Sequence, residues 1–340
     1  MYITWSEGRA HPTLIKGGAM GIADGVPVYA AGVSYPWRES ELSWYYDTDR
    51  QDWFPTAPLP LGRCYTEGTT ADDGLLLVGG RRSTPEKRVS LADAWWLWRS
   101  EGEWRWVELP SLRQGRADGA LAVVGHLAIY AGGGEWEQSR GGAFTANNIT
   151  TVEALDIDHP ENGWLDLGTP PFSPRVGCGA AAVGTSFYLV GGYNCWVDEQ
   201  NVRHFIYFDQ VFRYDCSTSR WTEVSPLPVK ISGHQVVAYD DRYLIILGGV
   251  VRFPFLDQEL IYQNVKADKR GIIIGEYSDL VWVYDTQRDD YELLPERMPH
   301  GLNDIRACVR DNIIYVVGGE NVDVTTSNTT NAFMTGEIRA

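Results

Sequence analysis

Positive charge is scarce in this chain. Of its 340 residues, 29 are Lys or Arg against 45 Asp or Glu, a formal net charge of −16. Nucleic-acid binding draws most of its affinity from clustered Lys and Arg, so no nucleic-acid partner is expected, and the acidity reads as a solvated surface. Cysteine is scarce as well: five residues, an odd number, with no CxxC pair. That pattern excludes a disulfide or zinc framework and suits a reducing compartment. Long apolar runs are missing, none approaching the ~20 residues that cross a bilayer, so no membrane partner is expected. The opening "MYITWSEGRAHP" lacks the basic and apolar regions of a signal peptide. A soluble cytoplasmic protein is expected, or a periplasmic one if a leader has been removed. The six histidines show no HxxxH or HExxH spacing, and no P-loop, Rossmann or GxSxG fingerprint occurs. "DIDHPENGW" has Pro160 where a calcium loop needs a ligand and reads as a turn. No metal and no cofactor are expected.

Glycine and aromatic residues are plentiful, and they recur in register. "VPVYAAG", "GLLLVGG", "HLAIYAGG", "SFYLVGG", "YLIILGG" and "IIYVVGG" end at glycines 32, 80, 133, 192, 249 and 319, with gaps of 48, 53, 59, 57 and 70. Such periods point to a propeller or solenoid. Each apolar run leads to a second one ending in Tyr-Asp or a relative ("SWYYD", "VFRYD", "VWVYD"). A turn follows, then an aromatic and a Pro-containing stretch ("DWFPTAPLP", "RWTEVSPLP"), then an alternating strand into the next unit. The result is four short antiparallel strands per unit.

This pattern resembles the kelch repeat, over essentially the whole chain, and implies a single all-β domain over 1–340: a six-bladed kelch β-propeller with four antiparallel strands per blade. The last unit falls short of four strands, while "YITWSEGRAHP" at the other end looks like a fourth. The N-terminal strand is therefore expected to close the last blade, sparing the sheet an exposed edge. Trp53, Trp104, Trp164 and Trp221 recur at equivalent places and read as packing between blades.

Antiparallel topology sorts the loops. Connections between first and second strands, and between third and fourth, are short and polar. Those between second and third are long: "RRSTPEKRVSLAD", "GEWEQSRGGAFTANN", "YNCWVDEQNVRHFIYFD" and the stretch around "LIYQNVKADKRGIIIGEYSDL". Long, chemically varied loops on one end of a rigid scaffold are where function concentrates. The same end receives Arg63, Arg116, Arg175, His234 and Arg306 from the starts of the first strands, and Trp37, Trp136, Trp196 and Phe253 from the ends of the second. Aromatics beside Arg and amide groups suit a sugar or a small polar acid; they equally suit a protein partner. Cys64 opens a first strand as in copper-radical sugar oxidases, but the Tyr they require would fall near Ala117.

Several stretches resemble the bacterial sialic acid (N-acetylneuraminate) mutarotase family of six-bladed kelch propellers. They are "PTLIKGGAMGIADGVPVYAAG" in blade 1, Tyr262-Gln263-Asn264 and Tyr277-Ser278 in blade 5, and "IIYVVGGENVD" in blade 6. The resemblance implies acid–base ring opening and reclosure of a sugar acid. It places a catalytic Glu after blade 4's glycine pair with an Arg shortly after. Here Tyr193 takes that position and Arg203 is the nearest Arg, while blade 3's "GGGEWEQSR" offers Glu135 and Arg140 at nearly that spacing. Either the acid has moved to another blade or the substrate and reaction differ. Glu135 or Glu320, each following glycines, is the expected base, with Arg203 as a catalytic residue that grips the anionic substrate. Arg63, Arg116 and Arg175 are expected to grip an anionic substrate or, alternatively, to bridge neighbouring blades. Trp136, Tyr193, Trp196 and Asn264 complete the expected sugar contacts. The alternative function is a non-catalytic kelch scaffold for a sugar or a protein.

Overall fold

The innermost strands alternate small and apolar residues, and the second strands are apolar throughout: Gly74–Val78 and Ser186–Val190 have every residue buried. The outermost strands are half exposed, as in Glu103–Leu109. This inside-to-outside gradient is what a radial stack of sheets requires, since each second strand lies between two neighbouring sheets. The computed structural model describes residues 1–34, 38–84, 87–137, 145–197, 203–252, 276–321 and 329–339. It contains six antiparallel blades, each a path of four strands. Their innermost strands, in order, are Ala19–Ala23, Glu67–Ala71, Ala120–Val124, Gly179–Val183, Lys230–Tyr239 and Arg306–Arg310.

The sixth blade is stitched from both ends of the chain. Tyr2–Glu7 pairs antiparallel with Phe333–Arg339, Tyr2 opposite Arg339 and Glu7 opposite Met334. Ile3 and Ile338 are thereby buried in the same apolar cluster. The expected N-terminal closure is present. The repeated tryptophans pack between blades: Trp53 lies 5.1 Å from Phe333 of blade 6, and Trp104 lies 5.5 Å from Tyr45 of blade 1. The Trp164 indole N–H donates to Pro110 O at 2.7 Å. The stretch around Pro160 is a single 3-10 turn, Pro160–Asn162, between third and fourth strands.

At the head of the six innermost strands the backbone closes a ring. Tyr65 N–H donates to Gly17 O (2.6 Å), Asp118 to Tyr65 (3.0 Å), Gly177 to Asp118 (2.9 Å), Gly233 to Gly177 (2.8 Å), Asp304 to Gly233 (2.9 Å) and Gly17 to Asp304 (3.3 Å). Each blade gives one residue, and all six are left-handed, with φ between 50° and 64°. Beyond the ring, toward the inner strands, Arg306 of blade 6 reaches Glu67 Oε1 of blade 2 at 3.1 Å and Thr66 O at 3.2 Å. A cavity of ≈ 410 Å³ follows, lined by the inner strands.

Candidate functional site

The ring is the floor of the loop-bearing end, and the residues around it recur by blade. The residue before each ring position pairs with the residue after the same blade's glycine pair: Lys16 with Val33, Cys64 with Arg81, Ala117 with Gly134, Val176 with Tyr193, Ser232 with Val250 and Asn303 with Glu320. Each blade thus offers three side-chain positions to the floor. Glycine at ring positions leaves room for neighbours. A Cβ on Gly177 would lie 3.2 Å from the Tyr193 ring, and one on Gly233 would lie 2.1 Å from Asn303 Oδ1.

Ionisable groups gather where those positions are polar. Lys16 Nζ bonds Glu320 Oε2 and lies 3.6 Å from Asp304 Oδ2. Glu320 Oε1 accepts from the Tyr277 hydroxyl and from Asn303 Nδ2, each at 3.1 Å. Burial pushes the Glu320 carboxyl up, but Lys16 and these donors outweigh it and hold the group below its ordinary range. Asp304 moves the opposite way: burial raises it, with Glu320 adding to the rise and Lys16 opposing. Asp118 stands three ring positions from Asp304. Burial, then the Asp304 charge, push it up to about 7 against Arg81, Arg306 and Lys16. Among the described residues its carboxylate has no hydrogen-bond or ion-pair partner. Tyr65 lies under the Arg81 guanidinium, 4.3 Å from ring centroid to Cζ. One carboxylate held ionised beside another raised to where it exchanges its proton near neutral pH is the pattern of an acid–base site.

The structure brings only part of the expected set to this floor. Glu320 and Tyr193 hold equivalent positions on it in blades 6 and 4, Tyr193 stacked on Tyr207 at 5.6 Å. Glu135 is not equivalent to Glu320. Blade 3 carries three glycines, so Gly134 occupies the floor position and Glu135 falls one residue on. Side chains alternate along a strand, and its carboxylate turns to Gln114 Nε2 at 3.1 Å. Arg63, Arg116 and Arg175 turn their side chains onto groups of their own blades, between the start of the first strand and the start of the third, rather than across to neighbouring blades. All three are fully buried. Arg63 forks onto Asp93 at 2.9 and 2.6 Å. Arg116 pairs with Glu153 at 2.6 Å. Arg175 donates to Gln210 Oε1 at 3.0 Å and to Gly191 O at 3.2 Å, over the Phe208 ring. Burying a guanidinium is costly unless its donors are satisfied in this way, and these contacts occupy the forks a ligand would use.

Trp196 is exposed and stacks on His204 at 5.1 Å, in the hairpin of Tyr193–Val197 and Arg203–Tyr207. Arg203 opens the second strand of that hairpin opposite Val197, and Trp136 lies opposite Ala146 in the blade 3 hairpin. Asn264, with Trp37, Arg140, Phe253, Tyr262 and Gln263, lies outside the described residues. Sequence reasoning missed Lys16, Tyr65, Asp118 and Asp304. Their only sequence signal is register: each adjoins or occupies the ring position, two residues after Arg63 or Arg116 in blades 2 and 3.

Six four-stranded blades around a hydrogen-bonded ring, with glycine pairs ending five of the second strands and Ala31-Gly32 the sixth, define a kelch propeller. A kelch motif is matched at residues 174–228, spanning blade 4. Within that class the chain is similar to two kinds of protein. N-acetylneuraminate epimerase of Vibrio vulnificus is 30% identical over 167 residues, 49% of this chain and 38% of the relative. Kelch-like protein terF of Aspergillus terreus is 23% identical over 259 residues, 73% of this chain and 52% of the relative. Kelch-like protein 40 of Xenopus tropicalis is 24% identical over 210 residues, 54% of this chain and 32% of the relative. The chain thus spans between a third and about half of these curated relatives. The solved structure titled "Structure of YjhT" is 17% identical, covers 96% of both chains and superimposes with a TM-score of 0.71, showing the shared fold. Among the described residues no helix is long and apolar enough to cross a membrane.

Proposed function

We propose that this chain is a carbohydrate-binding propeller that interconverts the ring forms of N-acetylneuraminate or a related sugar acid, as a mutarotase or epimerase. The observation that carries the reading is Glu320, a carboxylate kept ionised on the floor by Lys16, Tyr277 and Asn303. An anomeric hydroxyl needs such a base to lose its proton, and positioned acid–base groups contribute ~10²–10⁴-fold. The Vibrio relatives named N-acetylneuraminate epimerase supply the substrate class. Lys16 and Arg81 are the floor cations to which a substrate carboxylate would turn. Arg203, Trp136, Trp196, Tyr193 and Asn264 retain their roles as substrate contacts in this reading, and the five free cysteines suit a reducing cytoplasmic setting.

Proton NMR of anomer exchange tests it. The parent should accelerate exchange of N-acetylneuraminate anomers, and Glu320→Gln should lose that acceleration while its circular dichroism stays unchanged. An inactive parent rejects the reading. One observation favours the second reading, a non-catalytic scaffold: Trp196, Phe205 and Ile206 are exposed together on one hairpin, and exposed aromatics there fit a protein partner. Sugars that leave the melting temperature unmoved, with a partner retained through Trp196, would favour it.

A further inference from the structure

The proposed reaction needs an acid as well as a base, and the floor holds one on the far side of the axis from Glu320. We propose that Asp118 delivers the proton to the sugar ring oxygen, and that Asp304, across the ring from it, is the positioning residue that acts through Asp118. This rests on the ring-opening reading above.

Four observations meet on Asp118. It occupies ring position three of six and Asp304 position six, so the two face each other across the axis. It is held in place by its own backbone, which donates to Tyr65 O and accepts from Gly177 N–H. Its φ of 59° is left-handed, a conformation an Asp tolerates with a small penalty that glycine avoids. Blades 1, 4 and 5 place Gly17, Gly177 and Gly233 there, so Asp118 is not demanded by the fold. Its carboxylate is free of protein partners among the described residues. Asp304 is instead close to Lys16, and Glu320 is held by three donors. Beside them Asn303 Oδ1 is buried without a hydrogen-bond partner. An orphaned buried acceptor is costly, and a ligand hydroxyl would satisfy it.

The step balances. Glu320 takes the anomeric hydroxyl proton, the anomeric carbon forms its carbonyl, and the bond to the ring oxygen breaks with its electron pair staying on that oxygen. Asp118 supplies the proton there, leaving Asp118 ionised and Glu320 protonated. After rotation of the carbonyl the reverse transfers close the ring on its other face.

The groups acting on Asp118 are Asp304, Arg81, Arg306 and Lys16, with Glu67 below them. Anomer exchange is therefore measured from pH 5 to 9 for the parent, Asp118→Asn, Asp118→Gly and Asp304→Asn. Asn and Gly both accept the left-handed backbone, so both Asp118 variants fold. The expected result is a loss of about 10²-fold or more in both Asp118 variants, with N-acetylneuraminate still raising their melting temperature. Asp304→Asn should keep activity at pH 5 and lose it at a lower pH than the parent does. Parent-like exchange in Asp118→Gly overturns the assignment and leaves the ring-opening reading standing. A parent that exchanges no anomers overturns both. An unshifted pH profile in Asp304→Asn removes Asp304 from its role.

Discussion

Arg116 and Glu153 are both almost wholly removed from water and 2.6 Å apart, which makes each intolerant of losing the other. Breaking a buried pair leaves an uncompensated charge, at about 3–5 kcal/mol. Arg116→Ala should lower unfolding free energy in urea by that amount. Arg116→Met combined with Glu153→Leu should recover most of it, and equal losses in the single and double variants would contradict the pairing. Asp118 has a different signature. With its carboxyl pushed up to about 7, the folded chain keeps a proton that the unfolded chain releases near ~3.9. Its contribution to stability is full below that lower value and disappears as pH climbs through about 7. Asp118→Asn should match the parent's melting temperature at pH 4, then gain on it up to about pH 8 and level off, by about 2–4 °C per kcal/mol. A pH-independent difference would mean that Asp118 titrates normally.

The ring is an element with no periodic sequence of its own. Gly233→Ala puts a Cβ 2.1 Å from Asn303 Oδ1 at a φ of 64°, whereas at Gly102, φ 83°, a Cβ meets nothing within 4 Å. Both substitutions carry the left-handed strain of roughly 1–2 kcal/mol; Gly233→Ala should lose clearly more in thermal melts, and equal losses would mean the floor gives way freely. Strands announce themselves through apolar alternation and the glycine pairs, so the blades were legible. The floor was not, because Tyr65, Asp118 and Asp304 are set apart by the sign of φ, which no letter records. Glu135 is carried one residue past the floor position by a single extra glycine, Gly134, and one residue reverses the face of a strand. For Arg63 and Arg175 the sequence leaves a ligand and a neighbouring blade equally open, because their actual partners, Asp93 and Gln210, lie 30 and 35 residues away.

At the scale of the whole molecule, closure depends on Tyr2–Glu7. Removing residues 1–7 uncovers Phe333–Arg339 as an open edge and takes Ile3 out of its cluster; a buried Ile alone is worth about 2–5 kcal/mol. The truncated chain should melt well below the parent and scatter light at lower temperature, as unpaired edges associate; an unchanged melt would show that blade 6 stands on three strands.

The ladder that places Tyr2 opposite Arg339 also makes the fold a circle interrupted at one point, and five of the six blades do not register where the interruption lies. Circular permutation follows. A short glycine linker can join the present ends, and the turn between Ser43–Asp47 and Asp52–Pro55 can become the new opening, since exposed turns tolerate such cuts. Blade 1 would then be the one assembled from the two extremities of the chain, by the strand exchange that now belongs to blade 6. The permutant should keep the parent's circular dichroism and its response to ligand, and what changes is the order in which blades leave the ribosome.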